Sequence, residues 1–147
     1  MYDESIEVHR RVGDTWGLGI VLSAAAGLRI VREDYAQARA QAFEALSLCQ
    51  ELGDVRGIAW SLEVFAGLLA AAGVADAAAR LWGAAEGLLE SVGGSLTPSI
   101  RWVRDRHIEP TRTSLGDASF DTARTEGRAM PAVQAIAFAR QRALLPG

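Results

Sequence analysis

Two histidines, one cysteine and a dense run of charges are the residues of this 147-residue chain with types suited to chemistry. His107 has Asp105 and Glu109 each two residues away. Ligands on one helix face need i, i+3 or i+4 spacing, so neither acid joins His107 in a metal set. His9 takes the same place in an internal repeat as Cys49 and Leu89, which makes it a packing position. Cys49 falls toward a helix C-terminus beside Glu51. Reactive thiolates need a cationic or helix N-terminal setting, so Cys49 reads as a small core residue. Gly17-Leu18-Gly19 lacks the downstream Gly-Lys-Ser/Thr of a phosphate loop, and the chain has no lysine. Schiff-base chemistry is excluded with it. No catalytic residue, metal site or cofactor is expected, and the chain reads as a non-enzyme.

The remaining candidates are for binding. Arg101, Arg104, Asp105, Arg106, His107 if protonated, Glu109 and Arg112 make one dense polar helix. It is either a solvated face with ion pairs or a face that docks an anion or a partner. Of the four tryptophans, Trp82 sits at a packing position of the repeat. Trp16 and Trp60 stand near the starts of helices. They are either exposed contact points or packing against a neighbouring repeat.

The elements that must position these residues are helices. Half of the composition is hydrophobic and 22% is charged, the balance of a globular chain long enough to bury a core. Val12-Gly13-Asp14 returns 40 residues later as Leu52-Gly53-Asp54 and again as Val92-Gly93-Gly94. Between these markers Leu22 aligns with Leu62, Ala26-Gly27-Leu28 with Ala66-Gly67-Leu68, and Ala38 with Ala78. A fixed period of this size, carried by small and aliphatic residues, predicts stacked helical hairpins. Each Gly suits a left-handed helix end and each following Asp an N-cap. Helices are expected over 2–12, 15–31, 35–52, 55–72, 75–92, 98–115 and 131–144, with Gly116 ending the sixth and Asp117 capping a short helix to about Arg128. Pro110 predicts a kink or break near His107 to Glu109. The expected units are 1–92, the repeats, and 93–147, a C-terminal helical cap of the same domain.

Partners are bounded by charge and length. The net charge is −3, with 7 Arg against 13 acids before Pro98 and 8 Arg against 5 acids after it. Neither half is a nucleic-acid footprint, so no direct nucleic-acid contact is expected. The longest uncharged stretches, Thr15 to Leu28 and Val64 to Ala75, fall short of the roughly 18 residues that span a bilayer. No secretory leader is read at the start, and a cytoplasmic location is expected.

The repeat resembles tetratricopeptide repeats. In its second copy Leu62, Phe65, Ala66 and Leu69 match the first-helix signature, Gly73 the turn glycine, and Ala78, Trp82 and Ala85 the second-helix signature. In the first copy Leu22, Ala25, Ala26, Ala38 and Ala45 fit. Arg29 stands where an aromatic is usual, Ala42 replaces another, and Glu33-Asp34-Tyr35 lacks the usual turn Gly. The period exceeds the family's usual length of about 34, so the copies are divergent. Residues 2–14 resemble a second helix without its first, so the chain reads as starting mid-repeat. Leu81 to Glu86, the loop Gly93 to Pro98, and Phe120 to Met130 are similar to the C-terminal repeat region of large bacterial regulators. Those proteins join an ATP-hydrolysing signalling module to such repeats, often before a LuxR-type DNA-binding domain.

The resemblance implies an all-α stack of antiparallel hairpins in a tetratricopeptide-like superhelix. It places the first helix of each hairpin on a concave groove, and with it Ser23, Trp60 and Glu63. Together with Trp16, Arg101 and Arg104 these are the expected binding residues. The groove is either open or filled by the last helix through Val133, Ile136 and Phe138. The function expected is a non-enzymatic interaction module of a regulator; the alternative is a sensor with a small molecule in the groove. Ile6, Val8 and Val12 on the first helix imply a second copy as a further partner.

Overall fold

The structure, a computed structural model, describes residues 2–144. Met1 and residues 145–147, which the two expected units include, lie outside the described residues. Eight helices and no strand are found among the described residues: α1 (Tyr2–Val12), α2 (Thr15–Val31), α3 (Tyr35–Leu52), α4 (Val55–Ala71), α5 (Ala75–Ser91), α6 (Pro98–Leu115), α7 (Asp117–Arg128) and α8 (Ala132–Leu144). None of them is long and apolar enough to cross a membrane.

The first five helices end in one device repeated every 20 residues. Residues 13, 33, 53, 73 and 93 all have positive φ. The next amide in each turn donates back to a carbonyl five residues earlier, as from Asp14 to His9 and from Asp54 to Cys49, both at 3.0 Å. This is the Schellman closure, which satisfies carbonyls that a helix end would leave bare. Four of the five positions are Gly. The fifth, Glu33 at φ 61°, carries a side chain through the left-handed region.

Asp14 caps α2, its Oδ1 accepting from the Gly17 amide at 2.9 Å. Asp54 occupies the same place before α4 without a side-chain cap bond, and Asp34 before α3 turns to Arg29 instead. Thr97 caps α6 with Pro98 behind it. Of the expected kink or break at Pro110, the break is not found: α6 runs through it as one helix. Arg106, whose carbonyl loses its amide partner to the proline, and Pro110 itself are both exposed, so water reaches the gap. Asp117 is the first residue of α7 rather than its cap.

One core runs from α2 to α8, built on Leu46, Leu62, Phe65, Leu81, Trp82 and Phe120. Each of these six side chains is sealed from water, a gain of roughly 1.5–3 kcal/mol apiece for residues of this size. α5 and α7 lie in direct backbone contact. A Cβ on Gly83 would stand 2.0 Å from the Arg124 carbonyl oxygen, and one on Gly127 1.8 Å from that of Arg80. Only glycine permits this approach, and Trp82 meets Phe120 beside it at 6.3 Å between ring centres. Two of the three segments that carry the likeness to regulators, Leu81 to Glu86 and Phe120 to Met130, therefore form a single interface.

α6 and α8 correct the expected groove. The face of α2 and α4 assigned to it is covered, but by α6 and not by α8. Val103 of α6 sits on Gly27 and Gly67, one repeat apart, where a Cβ would stand 3.0 and 3.4 Å from its methyls. α8 packs instead against α3, α4 and α5. It buries Ala135, Ile136 and Ala139, and Arg140 donates to Ser47 and Gln50. Val133 is 76% exposed and Phe138 half-buried.

Candidate interaction site

α4 delivers Glu63 to the centre of the molecule. The helix has Leu62, Val64, Phe65 and Ala66 buried around it, so the carboxyl has no route to water and is 3% exposed. α6 crosses above it with Arg104, whose Nη1 lies 3.8 Å from Glu63 Oε1. The same guanidinium hydrogen-bonds Glu86 of α5. Among the described residues neither Glu63 oxygen has a hydrogen-bond partner, nor does Arg104 Nε. Burial pushes the Glu63 carboxyl up to about 8; Arg104 pulls the other way and Glu86 adds to the rise. At neutral pH the group is therefore mostly protonated.

Glu86 behaves in the opposite sense. Burial raises its pKa, but the hydrogen bond from Arg124 and the charge of Arg104 outweigh it and hold the carboxyl below its ordinary value. Arg124 binds it at 2.7 Å and Arg128 at 3.2 Å, and Arg128 also holds Glu90 at 2.6 Å. Charges from α4, α5, α6 and α7 thus form one chain, inside at Glu63 and outside at Glu90.

Of the six expected binding residues, the structure brings Glu63 and Arg104 together. The expectation that Glu63 lines an open groove is corrected: α6 lies over it. Ser23 is likewise buried rather than presented, its hydroxyl 3.3 Å from that of Ser61 on α4. Trp60 is half-buried, and its Nε1 donates to the Ser95 carbonyl at 3.0 Å, tying down the loop before α6. Arg101 points to solvent from the outer side of α6. Trp16 stands apart, 58% exposed near the turn from α1 to α2. Val8 and Val12 are exposed close to it in sequence, while Ile6 is buried against Leu18 and Leu22.

Sequence reasoning missed Glu86, Glu90, Arg124 and Arg128. A signal for them existed: two acids and two arginines, each pair four residues apart, lie on helices that share small residues at the same spacing. A concavity of about 250 Å³ lies between α1 and α2, lined by Tyr2, Asp3, Ala25, Leu28, Arg29 and Arg32. Its Arg29 is already engaged with Asp3 and Asp34, each at 3.0 Å. Burial, with help from Asp54, pushes the Cys49 thiol up to about 11, so the sulfur stays protonated and inert. Among the described residues no three His, Cys, Asp or Glu side chains converge on a point that would hold a metal. Comparison with family models, with curated proteins and with solved structures returned no match.

Proposed function

We propose that this chain is a non-enzymatic helical-repeat module for protein–protein contact, with tetratricopeptide-like stacking, serving a cytoplasmic bacterial signalling or transcriptional regulator. The observation that carries the reading is the glycine pair Gly27 and Gly67. One repeat apart, they line up on the face shared by α2 and α4 and receive the side chain of a third helix. A repeated small residue makes a repeated notch, and a notch of this kind selects a helix face rather than a phosphate or a nucleic-acid strand. The likeness of Leu81–Glu86 and Phe120–Met130 to regulator repeat regions supplies the biological setting. Val8, Val12 and Trp16 support a second contact near the start of the chain, with another copy of it.

The test is a display selection of helix-forming peptides against the folded chain, run beside a thermal-shift screen of metabolites. Selected peptides that share an apolar pattern and bind with micromolar Kd are the expected result. Failure to enrich any peptide, with one metabolite class raising Tm by several degrees, overturns the reading in favour of a small-molecule sensor. For the contact near Trp16, light scattering is expected to show a dimer that Val8→Asp with Val12→Asp converts to monomer.

A further inference from the structure

The first repeat carries small or polar side chains where the second carries large apolar ones. In the 40-residue register Ala25 takes the place of Phe65, Asp3 that of Phe43 and Arg29 that of Leu69. In the second repeat Phe65 of α4 is sealed from water and meets Phe43 of α3 edge to face, with 5.1 Å between ring centres. The equivalent contact, between α1 and α2, has neither ring. Tyr2, in the place of Ala42, returns part of the missing volume. The cavity of about 250 Å³ lined by Tyr2, Asp3, Ala25, Leu28, Arg29 and Arg32 is what remains. An apolar cavity of about 150 Å³ is enough to bind benzene, so this one holds a ring together with a short polar group.

The two arginines of the lining differ. Arg29 is fully engaged: its Nε donates to Gln41 at 3.1 Å, its Nη1 to Asp34 and its Nη2 to Asp3, each at 3.0 Å. Arg32 lines the same cavity and is exposed, and among the described residues no carboxylate pairs with it. It is the cation left for a ligand, and a guanidinium holds a carboxylate through two parallel hydrogen bonds. Ala25 and Leu28 supply the apolar surface on which a ring rests.

We propose that the cavity between α1 and α2 binds a small aromatic carboxylate, its ring in the space that Phe65 fills one repeat later and its carboxylate on Arg32. This inference stands apart from the interaction-module reading, which rests on Gly27 and Gly67. Asp3 engages Arg29 through Oδ1. Its second oxygen separates two sources of the ligand: a free aromatic amino acid, whose ammonium it accepts, and a simple aryl-alkanoic acid, which offers it nothing.

The probes are phenylpropionate and L-phenylalanine, with propionate as the control that lacks the ring. Each is titrated into the nitrogen-labelled full chain and followed by amide NMR. At least one of the two aromatic acids is expected to bind with a Kd on the order of 1 mM or tighter, with the largest shifts at Ala25, Leu28 and Arg32. Propionate is expected to bind at least tenfold more weakly. Arg32→Gln, which removes the charge from an exposed side chain, is expected to weaken the aromatic acid at least tenfold. Ala25→Phe restores the ring of the second repeat and is expected to abolish binding in a chain that still folds. No shift with either aromatic acid up to about 10 mM overturns the proposal. So do largest shifts elsewhere on the chain, equal binding of propionate, or unchanged affinity in Arg32→Gln. If Ala25→Phe does not fold, Arg32→Gln decides alone. Tighter binding of L-phenylalanine assigns the site to an amino acid and tighter binding of phenylpropionate to a simple acid; both carry the proposal. Enrichment of helical peptides in the selection above is unaffected by any of these outcomes.

Discussion

Replacing Glu63 by Gln should make the protein less sensitive to alkali. The carboxyl is 3% exposed, without a hydrogen bond, and raised from its ordinary 4.5 to about 8. The folded chain therefore keeps a proton that the unfolded chain releases near 4.5. Its contribution to stability is complete below that pH and is lost as pH rises toward about 8. One proton limits the slope to about 1.4 kcal/mol per pH unit, and the whole window amounts to on the order of 4 kcal/mol. That is a large share of the roughly 5–15 kcal/mol that holds a domain together. Glu63→Gln keeps the shape and removes the titration. Any unpaired amide adds an offset that does not depend on pH. Glu86, held low, loses its stabilising effect in the other direction, as pH falls below the ordinary carboxyl range. Native and variant chains share that effect, so it cancels in their difference. Urea unfolding followed by circular dichroism at half-unit steps from about pH 4.5 to 9 reads the difference directly. The variant is expected to gain on the native chain by on the order of 4 kcal/mol across the series. A difference that stays constant with pH refutes the reasoning, because Glu63 would then be ionised throughout and held by Arg104.

Gly127→Ala places a methyl 1.8 Å from the Arg80 carbonyl oxygen, and thermal melts should show a loss of about 3 kcal/mol even though Ala is the better helix former by about 1 kcal/mol. Glu33→Gly removes a side chain from a φ of 61°; it is expected to stabilise by about 0.5–1 kcal/mol after the added freedom of the unfolded chain is counted. A loss of stability there would mean that Glu33 contributes a contact that outweighs its backbone strain. The Cys49 thiol, buried and raised to about 11, should fail to react with an aromatic disulfide reagent at mildly alkaline pH and react at once in denaturant. Rapid labelling of the folded chain would place the sulfur in a more open setting.

Helix positions and ends were legible in the residues because both are local. Apolar spacing over one or two turns sets a helix, and a Gly that accepts positive φ ends it. The expected bounds match the eight helices to within a residue, including α6 and α7, which follow no repeat. The turn at Glu33 was legible too, although its residue is wrong for its backbone. The 40-residue register likewise told that Gly27 and Gly67 share a face. What lies on that face was not legible. α6 is hydrophilic and contains Pro110, the pattern of a solvated helix, and its cover over α2 and α4 depends on where the α5–α7 glycine contact leaves its two ends. An acid in a helix reads as exposed unless something crosses it, and no local pattern says that Arg104, 41 positions away, comes to rest above Glu63. Burial and pKa are properties of the assembled neighbours. The sequence by itself determined the helices and their order, since those follow from each segment's own spacing. The closed seat at Glu63 was decided by tertiary structure alone, since it requires four segments to meet.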